Sequence, residues 1–98
     1  MINVIRAESG WRVINAIKTS QNQPNTTQYF EVKNYPLIAW QIENEKPTPV
    51  TPIGILKNVF VATISPNGEI YSNCTNKRVF QSVEDWLSDI LTTYAGRL

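Results

Sequence analysis

Histidine is absent from this chain, which removes the commonest general base and the commonest metal ligand together. A single cysteine, Cys74, excludes an internal disulfide and a thiolate zinc site. Charge is scarce as well: 17% of residues are charged, against about 25% in an average globular chain. With 9 basic and 8 acidic side chains the net charge is +1, so no strong field draws in nucleic acid or an anionic membrane. Gly10, Gly54, Gly68 and Gly96 are scattered and each fits a turn or a cap, so there is no glycine-rich phosphate cradle. The longest apolar runs, Leu37 to Trp40 and Val59 to Ile64, fall far short of the ~20 residues that span a bilayer. The opening Met1-Ile2-Asn3-Val4-Ile5-Arg6 does not read as a secretory leader, and a reduced Cys74 in a soluble, cytoplasmic protein is expected.

What remains is a chain of 98 residues, 42% of them hydrophobic, enough for one domain spanning 1–98. Alternation and β-branched residues predict strands at Ile2 to Arg6 and Trp11 to Ile17, joined as a hairpin through Glu8-Ser9-Gly10. A second hairpin is expected from Gln28 to Lys33 and Leu37 to Glu43, broken at Asn34-Tyr35-Pro36. Pro47, Pro49 and Pro52 leave too few backbone donors for a central strand, so residues 44–52 read as an extended connector. Val59 to Ile64 is apolar on both parities, as for a strand covered on both sides. Ser65-Pro66-Asn67-Gly68 has the residues of a type I turn closed by a bulge, and it returns the chain into Glu69 to Asn73.

The helix signal is the strongest. Ser82 is placed as an N-cap with Asp85 three residues on, and Val83, Trp86, Leu87, Ile90, Leu91 and Tyr94 form one apolar stripe. Strands first and a helix last define the α+β class: an antiparallel sheet of about five strands with one C-terminal amphipathic helix on one face. A helix about 10–12 Å wide shields two or three strands spaced about 4.8 Å apart. The opposite face then needs a cover from long loops, a second copy, a partner or solvent.

Each chemical candidate has a plainer reading beside it. Cys74 lies near Lys77 and Arg78, which would favour a thiolate, but no histidine base is available and a small residue at a strand end explains it. Glu43 with Glu45, and Asp85 with Asp89, each share a face. A hard cation needs more oxygens than either pair offers, and a solvated strand end or the helix dipole accounts for them. Pro49-Val50-Thr51-Pro52 matches a minimal PxxP pattern that a stiff connector also explains. No catalytic residue, cofactor, metal or small-molecule ligand is therefore assigned.

The aromatic pattern says more. Trp86, Tyr94, Trp40 and Phe30 are expected in the core. Parity places Tyr29, Lys33, Leu37, Ala39, Val59, Val61 and Tyr71 on the face away from the helix. That semi-apolar face reads either as an association surface, where tyrosine is favoured, or as a face under the loops at 18–27 and 44–58. The expected function is a non-catalytic interaction module, with a protein partner or a second copy bound through that face or an edge strand. The alternative is a single-stranded nucleic-acid accessory protein using Tyr29, Tyr71, Lys33, Lys77 and Arg78. Setting aside Arg97 and the helix carboxylates Glu84, Asp85 and Asp89 leaves 8 basic and 5 acidic side chains over residues 1–81, a mildly basic body. No RRM, OB or KH motif is legible. The turn and helix-cap segments, Ser65 to Tyr71 and Phe80 to Leu87, are generic and carry no family fingerprint.

Overall fold

Strand Arg12–Lys18 (β2) has Val13, Ile14 and Ala16 almost wholly buried, so apolar side chains leave it on both faces. A strand of that kind belongs in the middle of a sheet with a layer on each side. In the computed structural model, which describes residues 2–19, 29–56, 60–72 and 79–93, β2 lies between two neighbours. Numbering Ile2–Arg6 as β1, the other strands are Phe30–Pro36 (β3), Ala39–Glu43 (β4), Lys46–Val50 (β5), Val61–Ile64 (β6), Ile70–Ser72 (β7) and Val79–Phe80 (β8). The one helix among the described residues, α1, spans Val83–Thr93. The protein is α+β with two antiparallel sheets, one of five strands in the order β3-β2-β6-β7-β8 and one of three in the order β1-β4-β5.

The helix covers one face of the larger sheet. Ile14, Ala16, Phe30, Ala62 and Ile70 meet Trp86, Leu87 and Ile90, with Tyr29 in the same cluster. Ser82 caps the helix: its Oγ accepts from the Asp85 N–H at 3.1 Å and its carbonyl from the Trp86 N–H at 3.2 Å. Glu84 and Asp85 lie in the first turn, where the dipole favours them. Tyr94 falls outside the described residues.

The opposite face of the larger sheet is where expectation and structure part. Val13, Leu37 and Val61 are buried there against Ala7, Trp11, Tyr35, Trp40 and Leu56. Trp40 from the small sheet and Ala7 and Leu56 from segments near its strands supply part of this cover, and Trp11 and Tyr35 the rest. The expected hairpin between Ile2 to Arg6 and Trp11 to Ile17 does not form, because both edges of β2 are taken by β3 and β6. β1 pairs instead with β4, Ile2 opposite Glu43 and Arg6 opposite Ala39. The second expected hairpin fails for the same reason: β3 pairs with β2, and β4 is drawn into the small sheet.

The proline-rich segment is likewise a strand rather than a connector. A two-residue turn links β4 to β5, with Asn44 and Glu45 at φ 52° and 65°. Positive φ at both positions gives the turn a twist matching the flanking strands. Such a loop makes Glu43 and Lys46 the hydrogen-bonded pair, so alternate residues Lys46, Thr48 and Val50 turn their main-chain groups toward β4. Pro47 and Pro49 then sit with their nitrogens at the open edge, the position where a sheet tolerates them.

The Ser65-Pro66-Asn67-Gly68 turn forms as its residues predict. The Gly68 N–H donates to the Ser65 carbonyl at 2.9 Å, the Ser65 N–H to the Glu69 carbonyl at 2.9 Å, and Gly68 has φ 88°. Gly68 and Gly10 make a contrasting pair. A Cβ on Gly68 would meet open space, whereas one on Gly10, at φ 95°, would lie 3.1 Å from both Cβ and Cγ of Pro66. Gly68→Ala is expected to cost about 1 kcal/mol from the left-handed backbone alone. Gly10→Ala is expected to cost about 2–3 kcal/mol, because strain and crowding add. Urea unfolding of the two variants side by side checks the order; equal losses would mean that Pro66 yields freely.

Candidate functional site

The residues expected to form one association face are distributed over the two clusters. Tyr29 is 8% exposed and packs on the helix side, its ring 5.3 Å from that of Phe30. It precedes β3 rather than standing on the outward parity, so its placement on the far face is corrected. Leu37 and Val61 do face away from the helix but are buried in the cluster with Ala7, Trp11, Tyr35, Trp40 and Leu56. Tyr71 is half-buried, its ring 6.0 Å from Trp11. Trp11 in turn meets Trp40 edge-on at 5.7 Å. Trp40 is thus a bridge between the sheets and not part of the helix-side core expected for it. Ala39 is half-buried in β4, and Lys33 is exposed on β3. Val59, Cys74, Lys77 and Arg78 lie outside the described residues. The far face of the larger sheet is therefore not the open platform that parity suggested. The burial of Tyr29 also takes one of its two aromatic members from the nucleic-acid alternative.

Chemistry-bearing groups do not converge. Among the described residues no three histidine, cysteine, aspartate or glutamate side chains come together. Glu43 and Glu45 are both exposed, one in β4 and the other in the turn. Asp85 and Asp89 line a groove of about 450 Å³ with Val79, Phe80, Gln81, Ser88 and Thr92. A second groove, of about 350 Å³, is lined by Gly10, Trp11, Arg12, Asn34, Tyr35 and Pro36 and holds no carboxylate or thiol. Two buried polar atoms, Oδ1 of Asn15 and Nε1 of Trp86, meet no partner among the described residues.

The exposed apolar surface is concentrated elsewhere. Among the described residues the large hydrophobics open to solvent are Ile2, Val4, Ile5, Ile38, Ile53 and Val79, and all but Val79 lie in the small sheet or flank its strands. β1 is exposed at every one of its residues. Ile2, Val4 and Ile5 are 54%, 65% and 49% exposed. Among the described residues β1 is also an outer strand, paired on one side only.

The Ala7 N–H donates to the Ile38 carbonyl at 3.2 Å. In an antiparallel ladder inward and outward main-chain groups alternate. Asn3 and Ile5 therefore turn their peptide groups toward β4, and Ile2, Val4 and Arg6 present theirs at the open edge. Sequence reasoning missed these residues because a β-branched, apolar run reads first as core. The available signal was that Ile2 and Val4 share one parity and Ile5 falls on the other, so a sheet covering only one face of this strand leaves at least one large apolar side chain outward.

The four outer strands differ in what protects them. β5 carries Pro47 and Pro49, β3 carries exposed Glu31 and Lys33 and ends at Pro36, and β8 has only two residues. Proline, charge and brevity each discourage a further strand from adding. β1 has none of these over its five residues except Arg6 at its end. No helix among the described residues is long and apolar enough to cross a membrane. Comparison with protein-family models, with curated proteins and with solved structures found no significant match.

Proposed function

We propose that this chain is a non-catalytic interaction module that binds protein through the open edge of β1. The observation carrying this reading is the exposure of Ile2, Val4 and Ile5 on a strand that pairs along one edge only among the described residues. An added strand satisfies the outward N–H and C=O groups of Ile2, Val4 and Arg6 and covers apolar side chains on both faces, the mode known as β-augmentation. Main-chain pairing supplies affinity, and the alternating side chains supply selectivity. The lack of histidine, and carboxylates that stay apart among the described residues, support a non-catalytic reading.

Val4→Pro tests the proposal with little damage to the fold, because the N–H it deletes points away from β4. Proteins retained from host extract by the wild-type chain, or its own copies, should be lost from the variant while the circular dichroism stays unchanged. Equal retention by a folded Val4→Pro chain would place the binding surface elsewhere.

A further inference from the structure

We infer that the occupant of the β1 edge is a second copy of this chain, paired antiparallel about a two-fold axis through Val4. The inference rests on the proposed edge-binding function and names its partner. Among possible registers this one pairs every outward group of the strand. Val4 faces Val4 of the other copy, Ile2 faces Arg6, and Arg6 faces Ile2. A two-fold through Asn3 would strand the groups of Arg6, and one through Ile5 would run Ile2 past the end of the partner's β1.

The side chains agree with that register. Val4 against Val4 is a cross-strand pair of β-branched residues, a favoured combination on a pleated surface. The strand's one charge, Arg6, meets an isoleucine rather than its own like. Within each copy Ile2 stands opposite Glu43. In the pair, therefore, each Arg6 shares a row and a face with the other copy's Glu43, separated only by Ile2. The Cα atoms lie two strand spacings apart, about 9–10 Å, a gap that an arginine and a glutamate span together. The pairing thus brings two opposite-charge contacts across the axis, and Ile2 and Val4 of both copies form one apolar strip between them. Edge pairing alone buries less than the roughly 1,200 Å² of a tight interface, so association in the micromolar range is expected.

Sedimentation equilibrium of the full chain over a concentration series, at low and moderate salt, tests this. Wild-type chain should form dimers whose association weakens with salt. Val4→Lys places two ammonium groups directly opposite each other and should raise the dissociation constant at least about tenfold. The position is largely exposed, so the variant is expected to fold, as its circular dichroism will show. Arg6→Glu should also weaken the dimer, and adding Glu43→Arg should restore it, which a merely structural role for Arg6 would not do.

Dimers indifferent to Val4→Lys would overturn the inference, since the contact would then lie elsewhere. A wild-type chain that stays monomeric but captures another protein that Val4→Lys loses would also overturn it, while leaving the edge-binding function standing. A monomer that captures nothing would remove both. Failure of the Glu43→Arg rescue would reject the register.

Discussion

Trp86→Ala should remove a large share of the stability of this fold and move its urea midpoint well below that of wild type. Its side chain is 0% exposed and sits among Ile14, Ala62, Ile70, Leu87 and Ile90, where the helix meets the larger sheet. Truncating a buried tryptophan costs about 3–5 kcal/mol. Domains of this size carry roughly 5–15 kcal/mol in all, and this one has no disulfide to offset the loss. Far-ultraviolet circular dichroism with urea titration reads the result; a midpoint within experimental error of wild type would show that the helix is not seated as described. Trp86→Phe gives a sharper check. Nε1 of Trp86 is buried without a partner among the described residues, a condition that costs about 1–3 kcal/mol. Phenylalanine deletes the unpaired donor and leaves a smaller void. The two effects oppose each other, and a net loss of about 1 kcal/mol or less is expected.

Trp40→Ala should act locally. Trp40 lies in β4, opposite Ile5 of β1 and Pro49 of β5, and meets Trp11 across the gap between the sheets. It is half-buried, so its truncation costs about 2–3 kcal/mol. That loss falls on the contact between the two sheets and not on the helix-side cluster. Amide hydrogen exchange should show lost protection across β1, β4 and β5, with β2, β6 and α1 nearly unchanged. A uniform loss over both sheets would mean that they unfold as one unit. The variant also bears on function, because a loosened small sheet no longer presents a rigid β1 edge.

These contrasts follow how far the residues themselves reveal the fold. Ser82, the stripe from Val83 to Leu91 and the Ser65-Pro66-Asn67-Gly68 turn were legible because each depends on contacts within a few residues. Strand pairing was not. β1 is separated from β2 by only a short turn, yet its partner is β4, beyond β2 and β3 in the chain. Nothing in Ile2 to Arg6 names that partner. The choice is made by competition, since β3 and β6 occupy both sides of β2. The turn at Asn44 and Glu45 was hidden differently: a glutamate at positive φ carries no glycine signal. Parity alone was a weak guide to the candidate surface. It put Leu37 and Val61 on the correct side of the larger sheet without revealing that Trp40 of the second sheet, with Ala7 and Leu56, packs there. An exposed edge strand is among the expected surfaces, but the sequence reading places Ile2, Val4 and Ile5 in a hairpin with the next strand.

The two prolines of β5 have a further consequence for assembly. When two small sheets join through β1, each far border of the merged sheet ends in Pro47 and Pro49. Those borders have gaps where a third chain would seek hydrogens to accept. In the proposed dimer, growth through the small sheet would therefore stop at a pair, giving a closed assembly in place of a filament.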